Sequence, residues 1–141
     1  MAQSTEIFKA LADETRLRIV HLLLSAGTPL CCCELTDSLG EPQYKISKHT
    51  KILRQAGLIE ERREGRWVYF SIVPATDLFT RSLYRSIISI REFQDEVRKD
   101  EESLRSRLIL RVGGKCVLGS GKIQRNTITS LDLARDKLQR S

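Results

Sequence analysis

Long apolar runs are missing from this 141-residue chain, and their absence excludes a membrane-spanning helix. No run approaches the roughly 20 consecutive apolar residues that a membrane-spanning helix requires. Residues 1–4 also lack the basic start and apolar stretch of a secretory signal peptide. We therefore expect a cytoplasmic protein with no membrane partner. A hydrophobic content of 40% and a charged content of 30% are typical of a folded globular domain.

Cysteine is scarce and unevenly placed, with four residues in the whole chain. Cys31, Cys32 and Cys33 are adjacent, and Cys116 stands alone near the end. In a reducing cytoplasm such residues bind metal or sense redox state more often than they form structural disulfides. Three consecutive side chains on a short helix cannot all face one core. At least one of the three thiols should therefore be exposed to a ligand.

Excess acidic charge is also absent, and the net charge of +6 is unevenly distributed. Residues 1–97 hold 13 basic and 13 acidic side chains, whereas residues 98–141 hold 11 and 5. Within the neutral part, residues 42–66 hold seven basic and three acidic side chains. A locally basic segment on a neutral background is the electrostatic footprint of a phosphate partner. The basic tail, by contrast, is typical of a solvated chain end.

Helical periodicity dominates the first half of the chain. Apolar residues at helical spacing predict amphipathic helices over 4–12 and over the segment that Asp13 caps. Two further helices are predicted at 31–39 and 43–56, separated by Gly40 and the dipeptide that follows it. Two helices so closely spaced are typical of a helix-turn-helix motif.

The second half begins with a change to alternating apolar and polar residues. Residues 58–64 and 66–73 predict two strands joined by a tight turn at Gly65, which together form a wing. Asp77 is placed to cap one long final helix with a continuous apolar stripe. A monomer has too little core to cover that stripe, so we expect a homodimer formed through the terminal helices.

These motifs give the chain a resemblance to a known family. Residues 5–73 resemble the ArsR/SmtB family of metal-responsive repressors, in the stretches 8–19, 47–59 and 62–70. The resemblance implies a mainly α winged helix-turn-helix fold with a two-stranded β-wing and no enzymatic activity. It also implies a dimer on an inverted-repeat DNA operator. We assign this domain to residues 1–110, and residues 111–141 to a basic, glycine-containing extension with the composition of a flexible segment.

The resemblance extends to the thiols. Arsenite and antimonite sensors of the family carry Leu-Cys-x-Cys-Asp-Leu where this chain has Leu-Cys-Cys-Cys-Glu-Leu, which implies that Cys31 and Cys33 bind As(III) or Sb(III). Thr36 replaces a further cysteine that some of these sensors have. The third ligand is therefore Cys32, Cys116 from the same or the partner chain, or solvent. On a helix, residues two apart point to nearly opposite faces, so joint binding by Cys31 and Cys33 predicts a distorted first turn.

The reading helix and the wing carry the residues predicted to contact DNA. Helix N-termini and outward side chains meet base edges in the major groove, whereas wing-tip arginines suit phosphates or the minor groove. The predicted DNA-contacting residues are Gln43, Tyr44, Lys45, Ser47, Lys48, His49, Lys51, Arg62, Arg63 and Arg66.

Other functions are weighed against the same residues. A thiol redox sensor and a repressor responsive to cadmium, lead or mercury remain alternatives, and a small thiol enzyme ranks last because no acid/base partner is evident. The family's zinc site on the last helix needs histidine there, but the only histidines are His21 and His49. The sequence therefore favours a trivalent metalloid as the inducer, without an organic cofactor.

Overall fold

The computed structural model describes residues 2–121, which form six α-helices and one small antiparallel sheet. In chain order the helices are α1 (Ala2–Leu11), α2 (Glu14–Ala26), α3 (Cys32–Leu39), α4 (Gln43–Gln55), α5 (Leu78–Ser89) and α6 (Asp95–Leu108). The strands are β1 (Leu30–Cys31), β2 (Ile59–Glu64) and β3 (Trp67–Ile72). Helices α3 and α4 form the helix-turn-helix and β2–β3 form the wing. The predicted winged helix-turn-helix architecture is confirmed.

Local capping interactions fix several of the helix ends. The Asp13 carboxylate accepts a hydrogen bond from the Arg16 backbone N–H at 3.0 Å, and so begins α2. Asp77 caps α5 in the same way, accepting from the Thr80 backbone N–H at 2.7 Å. Both caps were predicted from the sequence, because they depend on residues only three positions apart.

The sheet has the order β1–β3–β2, and all its pairs are antiparallel. The turn between β2 and β3 lies at Gly65, whose φ of +59° is one that side-chain-bearing residues rarely adopt. Strand β1 pairs Leu30 with Phe70 and Cys31 with Tyr69. The sequence did not predict β1, because two residues are too few to show an alternating pattern. Its effect is to attach the first cysteine to the base of the wing.

The main apolar core of the described residues lies between the helices and the base of the wing. Its fully buried members come from α2, α3, α4 and β1, and include Ile19, Leu22, Leu30, Leu35, Ile46 and Leu53. Burying several such side chains is the dominant favourable contribution to folding. Because α3 and α4 both contribute buried side chains to this core, a displacement of α3 would change the packing of α4.

The prediction of one long helix after Asp77 is wrong. Helix α5 ends at Ser89, a short 3₁₀ turn spans Ile90–Glu92, and a separate helix α6 begins at Asp95. Helix α6 packs against α2 and α3 and does not extend α5 as one continuous helix. A bidentate ion pair holds α6 in place, because the Arg18 guanidinium donates to both carboxylate oxygens of Asp100, at 2.9 and 2.8 Å.

The chain continues past α6 as a packed segment, which we name the C-terminal strap (residues 109–121). Val112 and Lys115 pair across a tight turn at Gly113 and Gly114, where the sequence indicated a flexible break. The packed part of the protein therefore extends beyond residue 110, the boundary that the sequence suggested. Residues 130–139, for which the sequence also predicts a short helix, lie outside the described residues. Within 2–121, no helix is both long enough and apolar enough to cross a bilayer.

Candidate thiol site and nucleic-acid interface

Three of the four thiols gather in a small cluster at the junction between the sheet and the helix-turn-helix. Cys31 and Cys116 are each only 1% exposed and pack together with Tyr69. Cys33 and Trp67 are partly buried against the same cluster. The cluster therefore brings together residues from β1, α3, β3 and the C-terminal strap, and Cys31 and Cys116 are 85 positions apart in the sequence.

The backbone at Cys31 differs from the sequence-based expectation. Cys31 is the N-cap of α3, with extended dihedrals of φ −68° and ψ 149°, and only Cys32 and Cys33 lie within the helix. The premise that Cys31 and Cys33 occupy opposite faces of one helical turn is therefore wrong. An ion bound by both Cys31 and Cys33 would instead displace the junction between β1 and α3.

The Cys32 side chain does not join the cluster formed by Cys31, Cys33 and Cys116. It packs against the main apolar core, beside Thr36 and the reading-helix residue Ser47. Burial raises the pKa of the Cys32 thiol above its usual value, as does the neighbouring Cys33. This placement favours Cys32 as a core residue rather than as a partner of Cys31.

The Cys31 thiol is protonated at neutral pH. Burial is the main cause that raises its pKa well above the usual value, and the nearby thiols of Cys116 and Cys33 add to the effect. A hydrogen bond from the Cys33 backbone N–H opposes the rise but does not overcome it. A helix N-terminus lowers the pKa of a nearby thiol, but for Cys31 burial prevails over that contribution.

A buried ion pair fixes the same junction from the other side. Glu34 is fully buried, and both its carboxylate oxygens accept hydrogen bonds from the Arg111 guanidinium at 2.7 Å. Glu34 also accepts a hydrogen bond from the Cys31 backbone N–H at 2.8 Å. Arg111 reaches further, to the Pro29 carbonyl oxygen at 2.8 Å. The strap is thus tied to both flanks of the first cysteine.

A second arginine lies next to the last cysteine. The Arg107 guanidinium donates to the Asp37 carboxylate on α3 at 2.9 Å, and one of its nitrogens lies 3.8 Å from the Cys116 sulfur. The side chain of Arg107 is only 2% exposed. Its second terminal nitrogen is buried and has no hydrogen-bond partner among residues 2–121. A buried cation therefore sits beside the Cys116 thiol.

The thiols are gathered but are not in a finished coordination geometry. In the described part of the chain, no group of three or more Cys, His, Asp or Glu side chains is arranged as a ready-made metal site. Cys31, Cys32 and Cys33 line one open cleft of about 540 Å³, which also borders α4, the wing and Gly119 of the strap. A small solute can thus approach Cys32 and Cys33, and the edge of Cys31, from the side on which the reading helix is exposed.

The basic surface predicted from the sequence is largely present. Nine of the ten predicted DNA-contacting residues are exposed on α4 and the wing. They are Gln43, Tyr44, Lys45, Ser47, Lys48, Lys51, Arg62, Arg63 and Arg66. The Arg66 guanidinium stacks over the Trp67 ring at 4.6 Å, which holds it near the wing turn. One face of the molecule therefore combines a helix N-terminus, polar side chains and a positively charged hairpin.

His49 is the exception on that surface. Its ring is buried, with Nδ1 3.2 Å from the Arg16 guanidinium and 4.0 Å from the Asp13 carboxylate. Burial lowers the pKa of His49, which keeps the ring neutral at physiological pH. The prediction that His49 reaches the bases is therefore not supported. His49 instead fixes α4 against the start of α2.

Sequence reasoning missed four residues of the thiol site: Tyr69, Asp37, Arg107 and Arg111. Tyr69 appeared only as an aromatic strand residue, yet its hydroxyl oxygen accepts a hydrogen bond from the Cys116 backbone N–H at 2.9 Å. Arg107 and Arg111 belong to residues 98–141, whose basic charge is typical of a solvated chain end. The one available signal was Glu34, a carboxylate at an otherwise apolar position that needs a buried cation.

Comparison with known proteins places this arrangement in a family. The family model described as "Bacterial regulatory protein, arsR family" matches residues 13–61. The chain is 38% identical over 86 residues to the "Arsenic resistance transcriptional regulator ArsR1" of Pseudomonas putida, covering 61% of this chain and 66% of that protein. It is 49% identical over 69 residues to the "Arsenical resistance operon repressor" of Escherichia coli, covering 49% and 58%. The match thus spans less than two thirds of either relative.

Further comparisons agree in sequence and in structure. The chain is 45% identical over 71 residues to the "Uncharacterized HTH-type transcriptional regulator MJ1325" of Methanocaldococcus jannaschii, covering 50% of this chain and 79% of that one. The solved structure "Reduced HlyU from Vibrio cholerae N16961" superposes with a TM-score of 0.54 at 27% identity, covering 65% of this chain and 90% of that chain. With its winged helix-turn-helix and its matching sequence motifs, the chain belongs to the ArsR family of bacterial transcriptional regulators.

Proposed function

We propose that the protein is a cytoplasmic, metalloid-responsive transcriptional repressor. A homodimer binds an inverted-repeat operator, and it leaves the DNA when As(III) or Sb(III) binds thiols at the start of α3. One observation carries the proposal: Cys31 and Cys33 meet at the N-terminus of the first helix of the helix-turn-helix and line a cleft that borders the reading helix. The protein binds its ligand stoichiometrically and is not an enzyme.

The relatives support the regulatory part of this proposal. Two of them are described as an arsenic resistance regulator and an arsenical resistance operon repressor, and others as homologues of the repressors SmtB and CadC. The exposed surface of α4 and the wing supports DNA as the partner, because a helix fits the major groove and a basic hairpin fits the adjacent backbone.

The exposed apolar side chains support a dimer. Phe8 on α1 and Phe79 on α5 stack edge to face at 5.8 Å, and 54% and 41% of their surfaces remain exposed. Leu78 and Ile88, also on α5, are exposed as well. An exposed apolar face formed by α1 and α5 is the kind of surface that a second copy of the chain buries.

The chemistry of the thiols favours a trivalent metalloid over a divalent metal ion. Soft ions prefer sulfur, so As(III), Sb(III) and Cd(II) all suit this donor set. Arsenous acid carries three hydroxyl groups, and each condenses with a neutral thiol to form an As–S bond and one water molecule. No net proton is released, so a protonated, buried thiol such as Cys31 is already in the form that arsenous acid uses.

The position of the thiols supplies the coupling to DNA. Drawing Cys31 and Cys33 onto one ion moves the β1–α3 joint, and α3 shares its buried core with α4. Ligand and DNA thus favour different arrangements of one helix-turn-helix, which is the thermodynamic requirement for release.

The direct test is fluorescence anisotropy of the protein on a labelled duplex from its own upstream region. We expect two chains per duplex, and a return to the anisotropy of free DNA on addition of arsenite or antimonite. Magnesium sulfate at equal ionic strength is the control and leaves the complex intact. A complex that survives saturating arsenite and antimonite, but dissociates on oxidation with peroxide, contradicts metalloid sensing and supports the redox alternative.

Salt dependence tests the DNA-contacting surface. Lys48 is exposed on α4, and replacing it with alanine removes one cationic contact to the duplex. We expect a plot of the logarithm of the binding constant against the logarithm of salt concentration to become shallower by about 1. Lys99→Ala removes the same charge from α6 and should leave the slope unchanged. Equal slopes for both variants would exclude Lys48 from the contacts with DNA phosphates.

The pH dependence of binding distinguishes the metalloid from divalent ions. Between pH 6 and 8 we expect the arsenite dissociation constant to change little, because the condensation is proton-neutral. Cd²⁺ must displace the thiol protons, so its binding tightens as pH rises, by up to about tenfold per pH unit for each proton released. Isothermal titration calorimetry in two buffers measures the protons released. A proton count near zero for cadmium would refute the assignment of a protonated Cys31 thiol.

A further inference from the structure

We infer that Cys116, carried by the C-terminal strap of the same protomer, is the third sulfur ligand of the metalloid. The inference rests on the proposed function and adds to it the composition of the site: three thiolates from Cys31, Cys33 and Cys116, with Cys32 excluded. The strap then supplies one of the ligands of the sensor.

The first support is the path of the strap. After α6 it turns back at Gly113 and Gly114, both at positive φ, and so brings Cys116 into the buried cluster against Cys31 and Tyr69. The Cys116 backbone N–H is held by the Tyr69 hydroxyl oxygen at 2.9 Å. Cys31 lies opposite Tyr69 in the β1–β3 pair, so one strand pair positions both sulfurs.

The second support is independent of the cysteines. Arg107 is buried beside Cys116, and one of its terminal nitrogens lacks a hydrogen-bond partner among the described residues. An unpaired buried donor on a cation costs free energy unless an anionic or electron-rich group is placed near it. A metalloid bound at Cys116 would place electron-rich sulfur atoms beside the Arg107 guanidinium.

The third support is the sidedness of the three adjacent cysteines. Cys31 and Cys33 pack against the cluster that contains Cys116, whereas Cys32 packs against the main core beside Thr36 and Ser47. Cys116 already lies in the cluster with Cys31, whereas the Cys32 side chain packs on the side of α3 that faces the main core.

The reaction is a balanced condensation. Arsenous acid loses its three hydroxyl groups as water, each taking the hydrogen of one thiol, and three As–S bonds replace three As–O bonds. No oxidant or reductant takes part, and arsenic remains trivalent.

Polar contacts connect this site to α3 at two further points. Arg111 on the strap pairs with Glu34. Asp37, which pairs with Arg107 of α6, also accepts a hydrogen bond from the strap's Gly121 backbone N–H at 3.0 Å. Both carboxylates lie on α3. Moving the strap onto the metalloid therefore pulls α3 at the cysteines and at both carboxylates together. This linkage makes the strap, as well as the first turn of α3, part of the two-state element.

X-ray absorption at the arsenic edge tests the inference on the full-length protein loaded with one equivalent of arsenite. We expect three As–S scatterers in the wild type, and two with one As–O in Cys116→Ser. We expect the arsenite dissociation constant of Cys116→Ser to rise by roughly ten- to a hundredfold, since a tethered third ligand acts at high effective concentration. The matched variant Cys32→Ser retains three As–S scatterers and wild-type affinity. Circular dichroism establishes that both variants are folded.

Three scatterers in Cys116→Ser together with two in Cys32→Ser would overturn the inference and assign the third ligand to Cys32. Two scatterers in the wild type would overturn it as well, while leaving a two-thiol sensor intact. No binding of arsenite to the wild type would instead refute the proposed function itself.

A mixing experiment decides whether Cys116 acts within its own protomer. Cys31→Ser/Cys33→Ser protein is combined with Cys116→Ser protein under conditions that exchange subunits. We expect no three-sulfur site in the mixture. Recovery of such a site would show that Cys116 reaches across the dimer and would overturn the same-protomer assignment.

Discussion

Replacing Arg111 with methionine is expected to lower the free energy of unfolding by about 3–5 kcal/mol, a large part of a small domain's stability. The Glu34 carboxylate is 0% exposed, and Arg111 is its cationic partner through both oxygens. Without Arg111 the carboxylate keeps the Cys31 backbone N–H, which does not compensate a buried charge. Methionine is comparable in length to the arginine stem, so the change removes charge with little loss of packing. Urea denaturation followed by circular dichroism gives the free energy.

Two comparison variants make this result specific. In Arg111→Met/Glu34→Gln no charge remains buried, so we expect at least half of the lost stability to return, as a double-mutant cycle would measure. Arg98→Met removes an arginine from an exposed pair with Asp95 on α6, and such pairs contribute less than about 1 kcal/mol. A loss below about 1 kcal/mol in Arg111→Met would show that Glu34 finds another partner or takes up a proton.

Serine at both Cys31 and Cys33 is expected to abolish the release of DNA by arsenite. Both thiols face the buried cluster, and serine retains the size of cysteine while removing its sulfur. We expect the arsenite concentration that half-dissociates the complex to rise at least about a hundredfold, because each soft ligand lost removes one As–S bond. DNA affinity without arsenite should change little, since neither side chain belongs to the basic surface. Fluorescence anisotropy on the same duplex measures both quantities.

Cys32→Ser is the matched control for that pair. It makes the same chemical change one residue away, at a side chain that packs against the main core near Ser47. We expect its arsenite response to equal that of the wild type within about threefold. If Cys32→Ser fails to respond while Cys31→Ser/Cys33→Ser still does, the side chains that bind the metalloid have been assigned to the wrong face of α3.

The sequence by itself determined the features that depend on neighbours within a few positions. The caps at Asp13 and Asp77 and the hairpin at Gly65 are local hydrogen bonds and backbone preferences, so their residues are enough to predict them. Helical periodicity located the reading helix, and the adjacent cysteines located the thiol motif. The positions of these elements were correct to within a few residues.

Only the tertiary structure decided which side chains meet at the site. Arg111 and Glu34 are 77 positions apart, and Arg18 and Asp100 are 82 apart, so no local pattern records either pair. These long-range pairs hold α6 and the strap against the body, in place of the one straight helix that periodicity favoured. They also place Cys116 beside Cys31.

The same distinction explains the departure at His49. Periodicity gives the face of a helix only to within the width of one side chain, and His49 lies at the border of the exposed face of α4. Burial of His49 against Asp13 and Arg16 followed from how α2 and α4 pack together. Local chemistry thus determined which elements this chain forms and which residues are reactive, and long-range charge pairing and packing decided which of those residues share one site.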